Sequence, residues 1–327
     1  MTEQRKIRFD EHLSGEGALT LAFATFTALL LGSLLLFVPL SFAQQHDQRT
    51  FHSAEEASLA FFSAAQQENE RALLDILGPT GTEVISSGDP IQDMDHRIGF
   101  VVKYKQMHRL AKEPDGTMIL YVGAENWPFP IPLVSKDGVW FFDTDAGKEE
   151  ILLRRIGKNE LAAIDACQQL VHAEKEYNKK LSNGEPHYTE RFISDKGKHN
   201  GLYWSDAEDE FDSPVDSLIA SAGQENTYST GDDAADNPIP FNGYFFRILM
   251  GQGENAPGGA KSYMVNGIMV NGFAFVAYPA EYRSSGVMTF IVNQDGTIYQ
   301  KDLGANTSKL AASMTKYTPD STWRRVD

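Results

Sequence analysis

The chain has 327 residues, with 45 acidic against 29 basic side chains and a formal charge of −16. That balance argues against nucleic acid or anionic lipid as a partner, because both select clusters of Lys and Arg. Cys167 is the single cysteine, so a disulfide within the chain is excluded and stability must come from packing.

The N-terminus carries Arg5, Lys6 and Arg8 ahead of an uncharged stretch from Ala18 to Ala43. A run of that length is long enough to cross a bilayer as a helix, and it ends in Pro39 and then Ser41-Phe42-Ala43, small residues at the positions a signal peptidase reads. Residues 1–43 are therefore expected to be a signal peptide or a signal anchor. Cleavage after Ala43 would free a chain beginning at Gln44; retention would leave it anchored in the inner membrane through residues 18–43. Either outcome places the folded part in the periplasm or cell envelope.

The remaining 284 residues (327 − 43) suggest two domains, 44–146 and 147–327. In the first, Ser53 with Glu56 forms a capping box before Ala57, Ala60, Phe61 and Ala64 at helical spacing. A short helix over Glu70 to Leu77 stops at Gly78-Pro79. A third, from Asp93 to Leu110, turns Ile98, Val101, Tyr104 and Leu110 toward a core and ends before Pro114-Asp115-Gly116. Strands are expected over Thr117 to Val122, Trp127 to Val134 and Val139 to Asp143. The middle one reads WPFPIPL, with Pro128, Pro130 and Pro132 removing every donor from one side, which predicts an edge strand or a polyproline-like segment. Its aromatic residues Trp127 and Phe129 are candidates for docking a partner; the alternative is an edge blunted against aggregation.

Residues 147–182 form the longest helical pattern after residue 43, with a stripe of Ile164, Cys167, Leu170, Ala173, Tyr177 and Leu181. Cys167 reads as a small buried apolar side chain. Between Lys198 and Arg247 there is neither Lys nor Arg, while Asp206, Glu208, Asp209, Glu210, Asp212, Asp216, Glu225, Asp232, Asp233 and Asp236 accumulate. The spacing matches no EF-hand, so a solvated acidic loop is expected rather than a calcium site. Strands then follow over Tyr244 to Met250, Gly272 to Tyr278, Val287 to Val292 and Thr297 to Lys301, the last pair joined by the turn Asn293-Gln294-Asp295-Gly296. FAFVAY is apolar on both alternations and predicts a central strand covered on both faces, one by the long helix. A helix near Lys309 to Lys316, introduced by Thr307, closes the chain.

Catalytic motifs are absent from the sequence: no G-x-S-x-G, H-E-x-x-H, C-x-x-C or phosphate-binding loop occurs. GQGENAPGG, from Gly251 to Gly259, reads as a flexible strand connection. His172, His187 and His199 with Glu190 and Asp195 lack metal-ligand spacing, and neither a metal nor a cofactor is implied. Arg154, Arg155, Asn159 and Glu160 make the densest polar group at the domain junction; they suit either an anionic ligand or an ion-pair network to Asp143, Asp145 or Glu149. Tyr203 and Trp204, in GLYW, are candidates for stacking a sugar or peptide, or else core anchors.

WPFPIPL, WFFDTDAGKEEILLRRIGKNELAAI, GLYW, GYFFRIL, GQGENAPGG and GFAFVAYPAEYRSSGVMTFIVNQDGTIYQKDLG together resemble the bacterial envelope proteins grouped as domain of unknown function 2950. The resemblance implies an exported bacterial protein and names no reaction. The expected fold class is α+β. The first region's helices followed by strands ending in GVWFFD resemble the cone-shaped nuclear transport factor 2-like fold, and the long helix before an antiparallel sheet is similar in pattern to globular parts of pilin-like proteins. Binding or scaffolding of an envelope protein or polymer is the expected function. The alternatives are a hydrolase of an envelope polymer with Asp143, Asp145 or Glu160 as acid and base, and a small-ligand carrier, which requires an apolar pocket of a few hundred Å³ in the first domain.

Overall fold

The computed structural model describes residues 48–86, 90–180, 185–204, 212–223 and 239–326. The uncharged segment 18–43, Leu181, and all of the acidic cluster except Asp212 and Asp216 lie outside the described residues. The fold is mixed α+β, with one core formed by residues between Phe51 and Phe142 and a second by residues between Ala163 and Tyr317.

Helix α1 (Ala54–Gln66) starts where expected: Ser53 Oγ accepts from Glu56 N–H at 3.1 Å, while Glu56 Oε2 accepts from His52 N–H at 3.0 Å. One orphan donor of the first turn, Glu56 N–H, and the N–H of His52 just before the cap are satisfied this way. Helix α2 (Glu70–Leu77) is capped by Asn69, and a 3-10 turn leads into the short α3 (Thr82–Ile85). Helix α4 (Pro90–Gln106) turns Phe100 and Tyr104 inward, against Phe61 at 5.2 Å and Phe62 at 4.3 Å between ring centroids.

Two expectations for α4 need correction. Ile98 is exposed rather than buried, because the inward face is the one carrying Phe100, Val101 and Tyr104. The helix also stops before Leu110, which lies in β1 (His108–Lys112). That strand pairs along its whole length with β2 (Met118–Val122), so Pro114-Asp115-Gly116 turns a hairpin instead of ending a helix.

WPFPIPL is not one strand: Trp127 and Pro128 pair with β2 alone, as an edge does, and only Leu133 at its end has strand partners on both sides. It pairs with β2 as β3 (Trp127–Pro128), leaves the ladder, and returns as β4 (Leu133–Lys136), which lies between β2 and β5 (Val139–Phe142). From Val122 to Met118 the partner strand takes four steps while this chain takes six, from Trp127 to Leu133, so two residues bulge out. The bulge is where prolines are tolerated, since no donor is required there. The odd-numbered residues Phe129, Ile131 and Leu133 enter the core.

Helix α5 (Thr144–Lys180) is continuous through the expected domain junction, and at 1.5 Å per residue its 37 residues run about 55 Å. Its start is fixed by Asp143 Oδ1, which accepts from Ala146 N–H at 3.1 Å, and by Thr144 Oγ1, which donates to Leu77 O at 2.7 Å. Farther along, Cys167, Leu170, Ala173 and Tyr177 are buried in the second core. A short helix, α6 (Ser217–Ser221), is capped by Asp216.

The second core is organised on strands β6 (Tyr244–Leu249), then β7 (Gly251–Gln252), β8 (Lys261–Ser262), β9 (Met264–Val265), β10 (Ile268–Met269), β11 (Ala274–Pro279), β12 (Met288–Asn293) and β13 (Ile298–Asp302). Helix α7 (Thr307–Ser313), β14 (Lys316–Tyr317) and β15 (Arg324–Arg325) complete the chain. The main sheet is antiparallel in the order β15-β13-β12-β11-β6. All six residues of β11 are buried, as FAFVAY demands of a central strand. Phe246 and Ala277 share one sheet face, which packs on α5; Arg247 and Val276 share the other, where Arg247 Nη1 donates to Ala311 O of α7 at 2.9 Å. Helix α7 ends at Ser313, earlier than expected, because Lys316 is taken into a parallel pairing with β7. The glycine-rich GQGENAPGG is ordered around buried Gln252, whose Nε2 donates to Pro257 O and Gly259 O and whose Oε1 accepts from Tyr263 OH.

Candidate functional site

An apolar cavity of about 530 Å³ opens in the first core. Its inner wall is aromatic and aliphatic: Phe61 from α1, Leu73 from α2, Phe100 from α4, and Phe129 and Ile131 from the proline segment. Phe129 stands 5.2 Å from both Phe61 and Phe100 between ring centroids, so the three rings form one surface. The proline bulge creates this wall, since it carries Phe129 and Ile131 inward without a continuous ladder. Gly147 lets α5 press against that segment: a Cβ there would lie 2.7 Å from Ile131 Cγ1.

The rim is polar. Arg154, from α5, lies over the Trp127 ring at 5.1 Å, donates from Nε to Glu150 Oε1 at 2.7 Å and from Nη1 to Pro128 O at 2.7 Å. Trp127 keeps 40% of its surface exposed, while Phe129 keeps 9%. The two aromatic residues of WPFPIPL thus divide their roles, one at the mouth and one inside. Arg97 and Gly99 of α4 also line the cavity, and a Cβ added at Gly99 would meet no atom within 4 Å.

The four polar residues grouped at the domain junction do not converge. Arg154 serves the cavity rim and pairs with Glu150, not with Asp143, Asp145 or Glu149. Arg155 is exposed. Asn159 Nδ2 donates to Ser285 O at 2.8 Å, and Glu160 Oε1 accepts from Val287 N–H at 2.9 Å and Met288 N–H at 3.0 Å, so both hold the approach to β12. Glu160 lies seventeen residues beyond Asp143 on one helix, about 25 Å away at 1.5 Å per residue. Asp143 caps that helix and Asp145 is exposed, so these three carboxylates do not face one another across a cleft.

Tyr203 is half-buried and pairs with Ile193; Trp204 is buried, stacks near His199 and has its backbone bridged by Ser213. Neither lines a second, more polar cleft of about 510 Å³, which is bounded by Tyr177, His187, Tyr188, Glu190 and Asn200 among others. Behind it Glu174 is fully buried in α5: Oε2 accepts from Thr189 N–H at 3.1 Å, and Oε1 has no hydrogen-bond partner among the described residues. Burial holds this carboxyl well above the usual carboxylate range, against the smaller opposing effect of the Thr189 bond. Burial also pushes the Cys167 thiol up to about 12, which leaves it inert. Among the described residues, no three His, Cys, Asp or Glu side chains gather as metal ligands, and no helix is long and apolar enough to cross a membrane.

Arg97, Gly99 and Phe100 were not singled out in the sequence, although a signal was there. Helix α4 is apolar on more than one side, at Ile91, Met94, Ile98, Phe100, Val101 and Val102, which exceeds the single stripe that packing on one core requires.

Fold and site together define a mixed α+β protein with two packed cores and an apolar cavity in the first. The chain belongs to the family described as "Protein of unknown function (DUF2950)", whose model matches residues 48–326, nearly the whole chain. No curated protein and no solved structure matches it.

Proposed function

We propose that this is a non-catalytic binding protein of the bacterial cell envelope, and that the cavity of the first core holds a small ligand with an apolar body. The observation that carries this reading is the cavity itself: about 530 Å³, within the range of small-molecule sites, with an aromatic wall and the charged or titratable side chains Asp93, Asp95, His96, Arg97, Lys103 and Arg154 in its lining. Export rests on the basic N-terminus and the uncharged segment 18–43. Cleavage predicts a mature N-terminus at Gln44 by terminal sequencing of envelope-purified protein, and Met1 would contradict it.

A neutral apolar dye tests the cavity without involving charge. N-phenyl-1-naphthylamine should gain fluorescence saturably with the wild type at one site. Gly99→Phe, which adds a ring where a Cβ meets open space, should abolish that gain while melting like the wild type. Undiminished dye binding by a folded Gly99→Phe variant contradicts the proposal.

A further inference from the structure

We infer that the ligand of this cavity is an anionic amphiphile, with a carboxylate or phosphate head at the rim and an apolar tail against Phe61, Phe100 and Phe129. The inference rests on the cavity being a binding site and goes on to name its ligand class. Two guanidinium groups reach the lining with bonding capacity to spare. Arg97 is half-buried and has no ion-pair or hydrogen-bond partner among the described residues. Arg154 is held in place through Nε and Nη1, which leaves its Nη2 donors without a partner among the described residues.

Lys103, the third cation in the lining, is already paired to Glu125 at 3.2 Å. Of the two carboxylates there, Asp93 is buried and already engaged, and Asp95 is exposed to solvent. Arg97 is thus the lining cation without an ion-pair partner among the described residues, and Arg154, itself paired to Glu150, offers its Nη2 hydrogen-bond donors rather than an unpaired charge. A guanidinium kept partly out of water loses hydration, and an anion that accepts from its planar fork restores the bonds. Arg154 is suited to the task because Trp127, Glu150 and Pro128 fix its orientation before the ligand arrives.

Isothermal titration calorimetry of the full chain, with protein-free buffer as blank, separates head from tail by using octanoate, octyl phosphate, octanol and octylammonium as probes. At least one of the two anions should bind about tenfold more tightly than octanol or octylammonium, the scale of one charge-assisted hydrogen bond. Which anion binds more tightly tells a carboxylate head from a phosphate one. Arg97→Gln and Arg154→Gln should each remove most of that advantage and leave octanol unchanged. Arg97 is bonded to nothing in the described residues, so its replacement keeps the test readable even if the Arg154 variant folds poorly. Equal binding of all four probes, or anion binding untouched by both substitutions, overturns the inference while leaving the cavity reading in place. Binding of none of the four overturns both.

Discussion

Glu174 shows how much one side chain can tell about its surroundings. An apolar residue at that point of α5 would leave Thr189 N–H without its acceptor, yet the carboxyl that serves it is fully buried and its other oxygen has no hydrogen-bond partner among the described residues. Burial raises its pKa in the folded state, so the folded chain holds the proton more tightly than the unfolded chain does. For an acid shifted in this direction, the stabilising contribution is present below the unfolded pKa and is lost as pH rises through the folded pKa. Glu174→Gln keeps an acceptor for Thr189 N–H and removes the ionisation. The variant should melt close to the wild type near pH 5 and progressively above it toward pH 9. Parallel melting profiles across that range would show that Glu174 is not held protonated.

At the scale of elements, α5 is the member on which both cores depend. Its first turns are fastened to α2 and the proline segment, its middle to the approach to β12, and its second half to the main sheet. Glu160 is the middle fastening: one carboxylate oxygen takes two backbone N–H groups, and hydrogen bonds to a charged group are worth about 1.5–3 kcal/mol. Glu160→Ala should cost about 2 kcal/mol in urea unfolding, with Glu160→Gln losing less because it keeps the acceptor. A loss under about 0.5 kcal/mol for the alanine variant would contradict this role.

Much of the element pattern was legible before the structure. Capping residues, helical spacing in α1, α2 and α5, and the alternation in β6, β11, β12 and β13 are local signals, and the last four strands lie within a residue or two of their expected positions. What was not legible depended on partners distant in sequence. HRLAK became a strand because MILYV is there to pair with it, and WPFPIPL is split because β2 pairs with Trp127 and Pro128 at its start while Leu133 at its end lies between β2 and β5. The proposed site shares that limit: Arg154 was a candidate from its charge, but Arg97 and Gly99 matter only because α4 lines an opening beside Phe129, which the apolar excess of α4 hints at without locating.

Over the whole molecule, the two cores differ in a way that bears on function. The second is built around a central strand with every residue buried and opens to a more polar cleft, while the first leaves an apolar opening between α1, α4 and the proline segment. The central claim is that this opening binds ligand. Methyl-group NMR of the full chain during titration with N-phenyl-1-naphthylamine tests it directly, because each core carries its own reporters. The methyl signals of Leu73, Val84, Ile85 and Ile131 should shift saturably, and those of Ile219, Leu249 and Ile291 in the second core should stay in place. Shifts confined to the second core, or no shift in the first at dye concentrations that saturate fluorescence, would contradict the account.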